Sequence, residues 1–147
     1  MWKKLTTYLT LISTLLVCSM FFCSFASIIG PEGSTVKIMY YEKMPYLIMM
    51  IMLLTGGLFS ILTHRLPFLQ ARVCMLTALM LIGFQIWLGI DFFNYRNDMV
   101  FSLTMLFPLL SATLEIIASR RALIDGVTLQ ALKLSKRKAG VMTTKTK

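Results

Sequence analysis

The sequence predicts an all-α fold: an integral membrane four-helix transmembrane bundle with both termini cytoplasmic and a basic C-terminal tail helix. Three observations carry that expectation. Four apolar stretches cover residues 5–29, 45–63, 73–90 and 99–118, and about 20 apolar residues at 1.5 Å rise cross a ~30 Å hydrocarbon core. The connections between them alternate between strongly basic and weakly basic. The chain is also 57% hydrophobic with mean hydropathy +0.76, above the ~45–50% apolar content usual for soluble domains. Residues 1–118 then form one membrane domain, and 119–147 a cytoplasmic tail, amphipathic at first and disordered from Val141.

Charge sets the expected orientation. With the N-terminus inside, that side collects Lys3, Lys4, Arg65, Arg72, Arg120, Arg121, Lys133, Lys136, Arg137, Lys138, Lys145 and Lys147. The other side holds only Lys37, Lys43 and Arg96, with the acids Glu32, Glu42, Asp91 and Asp98. Short loops are where positive charge reports the inner face best. The net charge of +9 is therefore read as topology and as attraction to anionic inner-leaflet lipid by Arg121, Lys133, Lys136, Arg137 and Lys138. A nucleic-acid partner is not expected.

The first stretch opens on Met1-Trp2-Lys3-Lys4 and has small residues at Ser24 and Ala26, as a cleaved leader would. Its apolar run is too long for a leader's core of ~7–15 residues, so a retained span is expected. Thr6, Thr10, Ser13, Val17, Met20, Ser24 and Ser27 recur at alternating spacings of four and three. Small hydroxyl residues let helix backbones approach and bond across the contact, so this stripe, Thr10, Ser13 and Ser24 above all, is expected to face other helices. Gly30-Pro31-Glu32-Gly33-Ser34 reads as a turn, and Tyr40-Tyr41 as an interfacial pair.

Pro45 suits the first turn of the second span, where a missing N–H costs nothing. Gly56-Gly57 in that span are read as sites of close helix packing. The short segment from His64 to Arg72 makes spans two and three an antiparallel hairpin. In span three, Gln85 lies mid-helix near Gly83 and Gly89 and needs a hydrogen-bond partner. Pro108 is expected to kink span four near Thr104 by removing a backbone bond. In the tail, Leu123, Ile124, Val127, Ala131 and Leu134 share one face, a modest amphipathic pattern interrupted by Gly126 and spoiled by Leu129 and Leu132. Cys18, Cys23 and Cys74 fall in spans without any CxxC spacing, which reads as packing rather than a disulfide framework.

Two segments resemble an uncharacterised family of small four-span bacterial inner-membrane proteins, a domain of unknown function. One is Arg65, Leu69-Gln70 and Arg72, with Pro67-Phe68 between; the other is Pro108-Leu109-Leu110 through Leu114, Ala118, Arg120 and Asp125. The resemblance implies the four-span layout and the inner membrane, but no activity. Glu115 stands where that family more usually has an amide, and the tail around Lys133 to Lys138 departs from the family's ending.

Chemistry-bearing patterns are few. His64 is the single histidine, so neither a metal hydrolase centre nor an intramembrane haem ligand is expected. No phosphate-binding glycine loop occurs, and no catalytic residue or cofactor is expected. Met39, Met44, Met49, Met50 and Met52 gather near the outer face, and thioethers suit Cu(I). Methionine recurs in all four stretches and outside them, twelve in all, and reads instead as a lipid-compatible apolar residue; no metal is expected. Glu115 is the foremost functional candidate, because an ionisable group in a membrane needs a named partner. It is expected to be ionised and bridged to Arg65, Arg72 or Arg120. Two functional classes follow. The favoured one is a non-catalytic accessory or structural subunit packing against other membrane protein subunits; the other is a small oligomeric transporter or channel using Glu115 and Gln85.

Overall fold

The computed structural model describes the backbone of residues 2–29, 34–95, 97 and 99–145, and side chains over 5–28, 34–95, 97 and 99–137. The expected turn at 30–33, the loop residues Arg96 and Asp98, and the side chain of Lys138 lie outside these. α1 (Trp2–Met20) runs into β1 (Ser24–Ile29), which is followed by β2 (Thr35–Met39), α2 (Met44–Leu62), α3 (Pro67–Tyr95), β3 (Val100–Phe101) and α4 (Phe107–Lys145). Short 3-10 turns at Tyr40–Glu42, Thr63–Arg65 and Leu103–Leu106 join the elements. Three helices, Met44–Arg65, Pro67–Tyr95 and Leu103–Arg137, are long and apolar enough to cross a membrane, and α1 adds a shorter apolar helix at Leu5–Met20.

The chain is mostly helical, but not all-α. The first apolar stretch is helical only to Met20. Bonds of i to i+3 type from Phe21, Phe22 and Cys23 to Cys18, Ser19 and Met20 tighten the helix end. From Ser24 the chain is extended, because Ser24–Ile29 finds the β-branched run Thr35–Met39 as an antiparallel partner. β3 pairs on the other edge, giving the order β2-β1-β3. The register slips between Ser24 and Ala26, so Phe25 sits at a bulge, and its side chain is fully buried.

Three further expectations are corrected. Pro108 does not kink a helix interior: α4 starts at Phe107, so the proline occupies the first turn, where it is tolerated. The segment Met99–Leu106 is strand and 3-10 turn rather than helix, and Thr104 bonds Ser24 O and Tyr40 Oη. The tail is not irregular from Val141, since α4 runs through Gly126 and on to Lys145. Gly126 is used for close approach: a Cβ there would lie 3.0 Å from the Phe68 ring.

The core divides into two halves by depth. Next to the sheet it is aromatic and aliphatic: Phe25, Tyr40, Tyr46, Met50, Phe84 and Leu88 are buried together. Phe25 meets Tyr40, Tyr46 and Phe101 edge-on at 5.3–5.5 Å between centroids, the geometry aromatic rings favour. Burial pushes the Tyr40 phenol above its ordinary range, against the opposing effect of its bond to Thr104. Lys43 caps this end, 3.1 Å from Asp91 and 4.9 Å above the Phe25 ring, and Tyr46 Oη donates to the same carboxylate. The other half, toward the Thr63–Arg65 turn, is lined by small and hydroxyl side chains. Leu, Ile, Met and Phe cover most of the exposed helix surface, among them Ile48, Ile51, Leu58, Leu76, Leu79 and Ile86.

Candidate functional site

All four helices contribute to the polar half of the core. α1 supplies Thr6, Thr10 and Ser13; α2 supplies Ser60; α3 supplies Gln70, Cys74 and Thr77; α4 supplies Ser111, Glu115 and Ser119, all buried. Helical spacing produces the convergence. Ser111, Glu115 and Ser119 are four residues apart, as are Thr6 and Thr10, and Gln70 and Cys74, so each set projects from one face.

Most of these groups are satisfied locally. Ser13 and Ser111 are 2.6 Å apart at Oγ, and each lies within 3.3 Å of the other's carbonyl oxygen, which ties α1 to α4. Ser119 Oγ donates to Ala71 O at 2.9 Å, tying α4 to α3. Ser60 Oγ and Cys74 Sγ are 2.9 Å apart, linking α2 and α3. Thr10, Thr14 and Thr77 donate to carbonyls of their own helices. The two glycines of α2 open the space for this packing. A Cβ at Gly56 would stand 2.9 Å from Thr77 Oγ1, and one at Gly57 would collide with Thr14 Oγ1.

The exceptions are Thr6 Oγ1, Gln70 Nε2 and, the one ionisable group among them, Glu115. Glu115 is 0% exposed, and neither carboxylate oxygen has a hydrogen-bond partner. Cys74 and Ser13 face it within electrostatic reach but outside hydrogen-bond geometry, and each contacts a neighbouring serine. The expected bridge to Arg65, Arg72 or Arg120 does not form: all three are exposed, and Lys43–Asp91 is the one ion pair among the described residues. The reason is rotational. Arg120 is five residues on, ~140° around α4 from Glu115, while Arg65 lies in the turn beyond α2 and Arg72 on the outward side of α3. Arg121 is half-buried.

Gln85 is not brought to Glu115. It lies on α3, eleven residues from Cys74 and so ~16 Å along the helix. Its Oε1 is buried without a partner, beside a groove of about 470 Å³ lined by Gly89, Phe92, Phe101, Met105 and Leu106 among others. In the stripe of α1, Thr10 and Ser13 are buried against the other helices, but Ser24 belongs to β1 and is only half-buried. Lys133, Lys136 and Arg137 are exposed along the α4 extension, clear of the core.

Sequence reasoning missed Ser60, Gln70, Cys74, Thr77, Ser111 and Ser119 as members of this cluster. On α3 and α4 their signal was the spacing of three and four that marked α1, obscured by apolar residues on the remaining faces; Ser60, alone on α2, carried no such signal. Among the described residues, no three His, Cys, Asp or Glu side chains come together as a metal site. No family model matches the chain, and no curated protein matches it.

Proposed function

We propose that this chain is a non-catalytic, four-span subunit or accessory factor of a larger complex in the cytoplasmic membrane, with both ends inside. The α4 extension is the observation that carries this reading. From Val127 to Arg137 every side chain but Leu129 is exposed, including Val127, Leu132 and Leu134. An isolated helix of this size is marginal in water, so most helices owe their stability to packing on one face. Positive charge accumulates there without an acid after Asp125. This favours an acidic protein groove that receives a basic, leucine-bearing helix.

Anionic lipid is the weaker occupant. Lys133 to Arg137 follow Arg120 by 13–17 residues, ~20–25 Å along an unbroken helix, beyond the ~8 Å over which a charged membrane surface acts at physiological salt. α1 is the shorter candidate for a fourth span, since its apolar part, Leu5–Met20, reaches ~24 Å. Gly83 adds a second contact surface: it is bare on α3, where a Cβ would meet nothing within 4 Å, and glycine in a helix is otherwise unfavourable unless a partner approaches. The resemblance to small four-span inner-membrane proteins supports the compartment.

The unpaired carboxyl of Glu115 favours a second reading, a small oligomeric transporter. The aromatic and aliphatic half of the core weighs against it, because among the described residues Val17, Met20, Leu53, Leu81 and Phe84 fill the space beyond the polar half. Membranes solubilised in mild detergent separate the two readings. The subunit reading expects a hetero-complex that Lys133→Glu, Lys136→Glu and Arg137→Glu together dissociate. A homo-oligomer unaffected by these changes, carrying proton-linked flux abolished by Glu115→Gln, replaces it with the transporter.

A further inference from the structure

Three side chains in the polar half of the core are each more than nine-tenths buried and carry a polar atom without a partner. They are Glu115 at 0% exposure, Thr6 at 2% and Gln70 at 4%, and the atoms are both Glu115 carboxylate oxygens, Thr6 Oγ1 and Gln70 Nε2. They come from α4, α1 and α3. Their depths follow from the contacts between helices. Ser13 meets Ser111 and Ser119 meets Ala71; Thr6 lies seven residues before Ser13, and Ser119 eight residues after Ser111 on the antiparallel α4. Thr6, Gln70 and Ser119 therefore share one level, about one turn or ~6 Å below Glu115 on the side of the Thr63–Arg65 turn. Buried polar groups are rarely left unmet. An unmet hydroxyl, amide N–H and carboxyl within one turn are the partners that an internal water needs, since such a water makes ~3 bonds.

We infer that Glu115, Thr6 and Gln70 enclose internal water between α4 and the two helices packed on it, α1 and α3, and that Glu115 binds and releases a proton there, exchanging only with the side bearing the Thr63–Arg65 turn. The chemistry is complementary in both states. When the Glu115 O–H bond breaks, its electron pair stays on the carboxylate and the proton passes to the internal water. The Thr6 hydroxyl and the Gln70 amide then donate toward the anion, directly or through that water. Access is one-sided because Val17, Met20, Leu53, Leu81 and Phe84 close the core toward the sheet. Cys74 on α3 is the titratable side chain that faces Glu115. Tyr8 and Cys18 on α1, His64 and Arg65 after α2, Arg72 on α3 and Arg120 on α4 are exposed, and Arg121 is half-buried. No counter-cation among the described residues holds Glu115 in one protonation state.

The test uses the unmodified full chain in vesicles of known orientation, with dicyclohexylcarbodiimide as the probe. This apolar reagent adds to the protonated form of a membrane carboxyl, and peptide mass spectrometry locates the adduct. Glu115 is expected to be modified, more slowly as pH is raised on the turn side, and without change when pH is raised on the sheet side alone. Infrared hydrogen–deuterium exchange of the carboxyl C=O band adds a second readout. Thr6→Val and Gln70→Leu are expected to slow that exchange by about tenfold, as removal of a hydrogen-bonded relay position implies, and Glu115→Gln removes the band. Three results overturn the inference: labelling that ignores pH on both sides, labelling that follows the sheet side, or protection by Na⁺ at constant pH, which makes the site a metal-cation site. Because the labelling is read on the unmodified chain, it stands even if a variant fails to fold. None of these results bears on the subunit reading above.

Discussion

Ser13 and Ser111 show how little side-chain volume the polar half of the core allows. Their hydroxyls are 2.6 Å apart between α1 and α4, so a larger group must push the helices apart. Ser13→Leu is expected to destabilise the protein by about 1–3 kcal/mol through overpacking, whereas Ser13→Ala should cost only the lost bond, ~0.5–1.5 kcal/mol. Unfolding in mixed micelles read by circular dichroism distinguishes the two; equal effects would mean that the contact is not tight. Gly57 gives a sharper case, because even a methyl group there collides with Thr14. Gly57→Ala should therefore destabilise, by about 1–3 kcal/mol, although alanine is intrinsically the better helix former by ~1 kcal/mol. An increase in stability would show that α1 and α2 are not packed at this point.

At the scale of elements, α2 was legible nearly to the residue: 45–63 against Met44–Leu62. An uninterrupted apolar run with proline at its start leaves no competing arrangement. The first and last stretches were less legible because apolarity does not distinguish helix from strand. Ser24–Ile29 is as hydrophobic as a span, and only its pairing with Thr35–Met39 and Val100–Phe101 decides its conformation. That decision is tertiary. The sheet is anchored by Phe25, whose ring is buried among Tyr40, Tyr46 and Phe101. Phe25→Ala is expected to cost about 3–5 kcal/mol and to loosen the strands before the helices. Amide hydrogen exchange should then quicken at Ala26–Ile28 while α3 stays protected; uniform loss of protection across the chain would refute that separation. The polar cluster was half legible: Glu115 and the α1 stripe stood out, but the pairing of Glu115 with an arginine was wrong. Sequence spacing gives each helix's faces and says nothing of the rotation of one helix against the next.

At the scale of the molecule, an aromatic half beneath a small sheet and a polar half beside the turn make the two ends of the helix bundle chemically different. The basic α4 extension lies on the second side, with Arg65, Arg72 and Arg120 near the plane where it leaves the bundle. This asymmetry underlies both proposals, a subunit that meets its partners on one side and a carboxyl that exchanges with that side alone. Orientation in the membrane tests it most directly. In a background without Cys18, Cys23 and Cys74, single cysteines at Ser34, Asn94 and Ser135, all exposed positions, are treated in intact cells with a membrane-impermeant thiol reagent. Labelling of Ser34→Cys and Asn94→Cys from outside, with Ser135→Cys reached only after permeabilisation, is the predicted result. Labelling of Ser135→Cys in intact cells, with the other two protected, would contradict it.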